Sequence, residues 1–524
     1  MFDVIIVGSG PSAVSALESL KTKKVLVIDP GLKASSQETD SLNLSLNDLK
    51  KSGKIELDDV IGRGLESFHN VFEAYLSPKL KAPLMRFITN RYLTESKFET
   101  NNFFVMGSHA KGGLSNAWGA GSMRYTAEEL AEFPISYDDL AVYYDKLTEI
   151  MGINGSVDDL NENFVSSEGL LPPPKLNSLM IEFLNKYTKK KKYFHSIGMK
   201  IGFPRSAYLT KQKNNRNAYD YKAMEFFKST VSSIYNSANT LDDLLSVYKT
   251  ITYLSGHEVI NFNEVEDGVE VFCKDISSDA ITIKRCRKLV IGAGCLNTAR
   301  IVLRSYSDYK TRIPILDNLV TYVPFFYPKF IGKMEDKDVL PPQLILMYKY
   351  ENQEYLCSMY KLNVTLWGDF IMDFPLSIRG AVRAVKYLLP SIFVMQVFYP
   401  DRAKGENYLQ LNAENGLKIE YGNEVERGNL EKKIISNFRK IGFFSASFLV
   451  KKLTPGNSFH YSGSLPMKVN PQNYETDQTG RLAKAKNVYI VDGSVFPNLP
   501  SKNNTLTIMA NAMRVGEIVN RSLA

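Results

Sequence analysis

The chain has 524 residues, 44% hydrophobic and 23% charged, the profile of a folded globular protein, which excludes disordered, collagen-like and disulfide-dense classes. Its length allows two substantial cores, or one large α/β core carrying an inserted domain. The formal charge of +8, from 64 basic and 56 acidic residues, is a mild excess, and without finger spacing or an aromatic–basic repeat no nucleic-acid partner is expected.

Residues 3–7 form a continuous apolar run closed by Gly8, the pattern of a buried parallel strand. Gly8-Ser9-Gly10-Pro11-Ser12-Ala13 follows, then a helix over 14–20 and a second strand over 25–28 ending at Asp29. This is a βαβ opening with the G-x-G-x-x-G/A fingerprint in its required context. Gly8 permits the tight turn and Gly10 lets a pyrophosphate approach the backbone. Pro11 and Ser12 open a helix whose positive end faces the phosphates, and Ala13 is small enough for helix–strand packing. Asp29, 21 residues after Gly8, is placed to accept hydrogen bonds from a ribose. No basic n-region or cleavage site precedes the first strand, so no signal peptide is expected. Cys273, Cys286, Cys295 and Cys357 never form a CxxC and read as reduced, buried thiols. A cytoplasmic location and no metal site are the expectation.

Residues 35–49 read as a polar loop followed by a helix, and 60–64 as a turn. A second glycine-rich stretch, residues 106–121, surrounds Trp118 with small residues, including Gly112, Gly113, Ser115, Asn116 and Gly119. Close approach of backbone to a bound ligand is one cause of such a loop; an ordinary irregular loop is the other. Residues 137–150 read as a helix. Residues 151–235, with Pro172-Pro173-Pro174 and the cluster Lys189-Lys190-Lys191-Lys192, lose the βαβ rhythm and suggest a cap or substrate-domain insertion. From residue 241 alternation resumes, with strands expected at 250–254, 258–263, 268–273, 281–284 and 288–291. The last leads through Gly292-Ala293-Gly294 into a helix over 297–303 and back to the first sheet. Residues 306–455 depart again, and 391–399, 408–412 and 417–421 read as strands of an antiparallel sheet. The stretch 378–389, IRGAVRAVKYLL, is amphipathic and basic: it either packs against that sheet or makes a peripheral contact with a membrane surface. The resulting division is a discontinuous cofactor domain (1–125, 236–305 and 465–524) and a substrate or cap domain (126–235 and 306–464).

Near the end, residues 487–491 form another apolar strand closed by Asp492 and Gly493, which can meet a ribitol or ribose hydroxyl. A helix over 505–519 begins just after Asn503 and Asn504, with Thr505 in its first turn, and aims free N–H groups at whatever sits there. Such donors suit the pyrimidine edge of a flavin, whose reduced form is negatively charged. Five histidines exist, and His460 stands apart: it lies between Phe459 and Tyr461 in a Ser/Gly-rich turn before that strand. With a reference pKa of ~6.5 it can take an alcohol's proton near neutral pH. Asn503 can donate to the same oxygen.

These residues resemble the glucose–methanol–choline (GMC) oxidoreductases, FAD enzymes that oxidise alcohols and sugars. The resemblance rests on four blocks in family order: Gly8 to Ala13 with Asp29, the loop from Gly112 to Gly119, residues 289–305, and His460 through Arg514. The last carries the His-x-x-Gly-Ser/Thr, Val-Asp-Gly-Ser-x-x-Pro and Asn-x-x-x-Thr-Ile-x-Ala-x-Ala patterns. The resemblance implies an α/β fold: a Rossmann-like FAD-binding domain with a discontinuous α+β substrate domain built on an antiparallel sheet. It places His460 on the catalytic base and Asn503 on its His/Asn partner, with hydride passing to flavin N5. The loop around Gly112 is most like the pyranose-oxidising branch, which points to a sugar or related alcohol as substrate. Ala117 stands where some relatives carry a flavin-linked histidine, implying non-covalent FAD, and Asp29 stands where the family usually has glutamate. The electron acceptor stays open. Two other readings also stay open: a two-nucleotide, NAD(P)H-dependent flavoprotein using Gly292-Ala293-Gly294 (with Asn297 where a third small residue belongs), and a non-catalytic, membrane-associated module retaining the fold.

Overall fold

A computed structural model describes residues 1–33, 80, 83–165, 169–219, 221, 232–333, 342–361, 371, 375–422 and 427–523. The readings at 35–49 and 60–64, and His69, lie outside these residues. Strands Ile251–Leu254, Val25–Ile28, Phe2–Val7 and Ile281–Ile291 run parallel in that order, and Val488–Ile490 pairs with the last of them. Residues 4–7, 25–28, 289–291 and 488–490 are buried on both faces, as in parallel sheets covered by helices. Ile281–Ile291 is one strand rather than the two read from sequence. Its first half pairs antiparallel with Gly268–Asp275, which pairs in turn with His257–Val265. The basic residues Lys284, Arg285, Arg287 and Lys288 that break the apolar pattern sit before the strand enters the core at Leu289.

Helix Pro11–Leu20 packs on the C-terminal helix Thr505–Ser522. A methyl at Gly516 would fall 2.6 Å from Ala16 O, so the two backbones touch only because that side chain is missing. Ser19 Oγ donates to Met513 O (2.8 Å) and Asn520 Nδ2 to Ser19 O (2.9 Å). The two ends of the chain therefore form one unit, and the loops that precede these helices share one neighbourhood.

A second sheet of six antiparallel strands forms a roof, in the order Lys451–Lys452, Val320–Phe326, Ile392–Phe398, Gln353–Lys361, Leu344–Tyr350 and Met199–Gly202. One face buries Phe325 and Phe393 against Phe183, Phe438 and Phe443. The other presents Val320, Ile345, Leu356 and Phe398 toward Met123 and the candidate site. The segments 408–412 and 417–421 do not join this sheet. Tyr408–Leu411 and Leu417–Glu420 belong to a separate four-stranded sheet with Ile313–Pro314 and Glu99–Asn101. Pro400 separates the two, because a proline cannot donate to a continuing ladder. The region around 241 is helical, Ser237–Val247, and starts at Asn236, whose side chain accepts from Ala238 N–H (2.9 Å). No described helix is long and apolar enough to cross a membrane.

Candidate active site

The turn after the first strand is built by close backbone packing. Gly8 has φ +101°, and a methyl there would stand 2.6 Å from Gly292 O; a methyl at Gly292 would meet Ala13 at 3.1 Å. Gly10 caps helix Pro11–Leu20, with Pro11 and Ser12 in its first turn, and no side chain caps that end. Around a Cβ placed on Gly10 no heavy atom lies within 4 Å, so the chain is open on that side of the helix start. Asp29 is buried at the end of the second strand, and Tyr253 Oη donates to it (3.3 Å). Burial pushes its carboxyl up to about 6 against the pull of donors from Ser9 and Tyr253. An uncapped helix terminus beside an acid at the end of the second strand is an arrangement that a dinucleotide such as FAD would fit.

The second glycine loop lies against this turn. Gly112 and Gly113 have positive φ, and a Cβ on Gly113 would come 3.5 Å from Gly10 Cα. Gly112 N–H donates to Ser9 Oγ (2.8 Å). Ser115 Oγ donates to Gly112 O (2.6 Å), and Asn116 Nδ2 to Lys111 O (2.9 Å) and Gly113 O (2.7 Å). Asn236 Nδ2 donates to Asn116 Oδ1 (2.8 Å), and Ser237 Oγ to Ser9 O (3.1 Å). The side chains of Ser115 and Asn116 thus hold the loop's shape, leaving its backbone and Gly119 for any ligand. Asn236 and Ser237 went unread in sequence; the only signal is an Asn-Ser pair ahead of a helix, a capping pattern.

Asp492 closes strand Val488–Ile490. Its carboxylate accepts from Gly294 N–H (2.9 Å), Ser494 N–H (3.0 Å) and the Thr298 hydroxyl. Three of about four lone-pair sites are therefore used within the protein, clamping the Gly292–Gly294 turn to this loop. Gly493 abuts Tyr461 O, where a methyl would sit 2.9 Å away. Asn504 precedes helix Thr505–Ser522, and its Nδ2 donates to His460 O (3.2 Å) and Ser462 Oγ (3.1 Å), so it holds the histidine's backbone.

His460 and Asn503, 43 residues apart, meet: Nε2 of the imidazole lies 3.2 Å from Asn503 Nδ2. Behind the ring, Nδ1 lies 2.9 Å from Oδ1 of the fully buried Asn318. The Asn318 Nδ2 group donates to Tyr399 O (2.8 Å) and Pro500 O (3.0 Å), which leaves only its oxygen for the ring. An amide oxygen only accepts, so this network assigns the proton to Nδ1 and the lone pair to Nε2. The ring stacks on Phe398, centroids 5.3 Å apart at 21°. Burial lowers its pKa to about 4, so it is neutral at physiological pH. Phe459, just before it, holds φ +61°, a strained conformation for a bulky residue. His460 N–H donates to Ser458 Oγ (2.9 Å), and Ser458 in turn donates to buried Asp317. The other described histidines have structural partners: His109 sits edge-on to Tyr92, His195 faces Tyr187 and Asp159, and His257 faces Ser255 O.

Two further residues shape Asn503. Gly121 lies so close that a methyl on it would stand 2.5 Å from Asn503 Oδ1. Lys502, fully buried, donates to Glu129 Oε2 (2.6 Å) and Asn163 O (2.5 Å), pinning the loop just before Asn503. Neither is visible in sequence, because each role is set by a partner across the chain. A small cleft opens beside Asn503, lined also by Gly119, Gly121, Ser206, Ser358 and Tyr360. The Ser206 hydroxyl is buried without a protein partner. In the Gly292-Ala293-Gly294 turn, Gly292 is packed against Ala13 and the Gly294 N–H is committed to Asp492, and Cys295 and Leu296 after it are buried.

Residues 437–512 match the family model described as GMC oxidoreductase. A 67-residue stretch is 40% identical to the 6'''-hydroxyparomomycin C oxidase of Streptomyces lividus, spanning 13% of this chain and 12% of that protein. Over 99% of both chains, the fold superposes on the crystal structure of pyridoxine 4-oxidase from Mesorbium loti with a TM-score of 0.61 at 12% identity.

Proposed function

We propose, from the match of residues 437–512 to the GMC oxidoreductases, that this chain is an FAD-dependent oxidoreductase acting on a CH–OH group, with His460 as the base. The observation that carries the reading is the His460–Asn503 pair at 3.2 Å, backed by Asn318 on the far side of the ring. Residues around Gly8, Gly10, Asp29, Gly112 and Gly113 would hold the dinucleotide, and the loop and helix start at Asn503 to Thr505 would face its reacting end. Bound FAD supplies the hydride acceptor that no side chain can provide.

The protein's own part is positional and protic. Asn318 keeps the Nε2 lone pair of His460 facing the cleft, so the imidazole can take the hydroxyl proton without changing tautomer. Asn503 Nδ2, which touches Nε2, would instead donate to the alcohol oxygen, placing that oxygen between base and donor. Deprotonating the hydroxyl there weakens the C–H bond on the same carbon. The surrounding apolar roof, with Phe398 stacked on the ring, limits water at the reacting atoms. A sugar or sugar-like alcohol is the proposed substrate class: Ser206, Ser358 and Tyr360 line the cleft, and an unpartnered Ser206 hydroxyl suits a substrate carrying further hydroxyls. The printed names of the two similar proteins, an oxidase of a hydroxyparomomycin and an oxidase of pyridoxine, are in keeping with alcohol chemistry.

The test is spectroscopic. Mildly purified protein is expected to be yellow and to bleach when mixed anaerobically with one or more members of a panel of sugars, pyridoxine and simple alcohols. Protein without flavin absorbance, or flavin bleached by NADPH and by no alcohol, would move the assignment to a binding module or a two-nucleotide flavoprotein respectively.

A further inference from the structure

Helix Ile378–Leu388 lies on the outer rows of the roof's site-facing side. Ala381, Val385 and Leu389 are buried, and Val385 and Leu389 cluster with Val394. Packing on the sheet therefore accounts for one stripe of this amphipathic helix. It leaves the adjoining apolar side chains outside: Ile378 is 71% exposed, Leu376 56%, and Val382 and Tyr387 are exposed as well. Gly332 N–H donates to Tyr387 O (2.9 Å), which brings exposed Ile331 alongside. Beside this apolar edge the helix carries Arg379, Arg383 and Lys386, all exposed, and residues 375–400 contain no acidic residue.

We propose that this face docks on an anionic lipid bilayer, the helix lying in the interface with Ile378 and Val382 in the acyl boundary and the three cations among the headgroups. Exposed large apolar residues next to a purely basic stripe suit a surface that is apolar within and negative at its rim. Position strengthens the case. Tyr360, which lines the cleft beside Asn503, is the cross-strand partner of Val394, on which the helix packs. The helix is thus one register step from the site, and docking sets that end of the cleft at the headgroups.

Flotation of the full purified chain with vesicles tests this without any turnover, so its failure leaves the redox reading untouched. The chain is expected to float with phosphatidylcholine–phosphatidylglycerol vesicles, weakly or not at all with pure phosphatidylcholine, and less as salt rises. Arg379→Glu/Arg383→Glu/Lys386→Glu should lower anionic-vesicle binding by about 100-fold or more, since each cation near such a surface contributes roughly fivefold. Ile378→Asp/Val382→Asp, at sites too exposed to unfold the protein, should abolish flotation. The same change of charge at Lys189, Lys192 and Lys249 should leave it intact. Absence of wild-type flotation with anionic vesicles, retention by the aspartate variant, or equal loss in the charge control overturns the proposal.

Discussion

Replacing Gly121 by alanine tests how tightly the site depends on Asn503. Gly121 lies outside the left-handed region, so alanine fits its backbone, but the new methyl would stand 2.5 Å from Asn503 Oδ1 and 2.8 Å from Cγ. Ordinary carbon contact begins at about 3.5 Å, so the carboxamide must retreat by roughly 1 Å. That displaces Nδ2 from its place 3.2 Å from His460 Nε2. A misplacement of ~1 Å in a catalytic group costs on the order of 100-fold in rate, or about 2.7 kcal/mol of barrier. The assay is anaerobic stopped-flow bleaching of the bound flavin by whichever alcohol reduces the wild type. Gly121→Ala should keep its flavin and slow reduction about 100-fold. In an Asn503→Ala background the same change should cost little more, because its only target is gone. Wild-type bleaching by Gly121→Ala, or losses that multiply in the double variant, would refute the reasoning.

Three other outcomes follow from the same geometry. With the His460 pKa lowered to about 4 by burial, the rate of flavin reduction should rise with pH through about 4 and stay flat above it; an inflection at 6.5 or higher contradicts this environment. Stability carries the same sign, since the unfolded imidazole gains its proton near ~6.5: this contribution is complete above that pH and is lost as pH falls toward 4. Lys502→Met removes a fully buried cation and leaves half-buried Glu129 with the Thr126 N–H (2.8 Å) as its remaining donor. Thermal unfolding should therefore fall, by less than the about 3–5 kcal/mol of a fully buried broken pair, while an unchanged midpoint would show the pair to be idle. Gly8→Ala forces a methyl to 2.6 Å from Gly292 O at φ +101°, a backbone strain of about 1–3 kcal/mol before any clash. It should purify with little flavin, and full flavin content would argue against a cofactor turn there.

The parts of the fold that show in the sequence are those whose signal is local. The strand–glycine–helix opening lies within residues 1–29 and the tail signal within residues 460–514. Ile281–Ile291 reads as two strands because the basic residues at its exposed half mimic a break. The roof sheet hides for a different reason: Met199–Gly202, Val320–Phe326 and Lys451–Lys452 are brought together from places more than a hundred residues apart. Among the site residues, His460 and Asn503 stand out as residue types in a motif. Asn318, Gly121 and Lys502 matter only through what they touch: a ring nitrogen, a carboxamide and a half-buried glutamate. Ser115, Asn116, Asp492 and Asn504 lie where sequence suggests, yet their side chains bind protein atoms and serve the loops that carry the site.

The most direct test of the central claim is the reductive half-reaction of purified His460→Ala. The account predicts a folded, yellow protein whose flavin is bleached 10²–10⁴-fold more slowly by the alcohol that bleaches the wild type, the range that a positioned general base supplies. Bleaching at the wild-type rate, with flavin content equal, would mean that this imidazole takes no proton from the substrate.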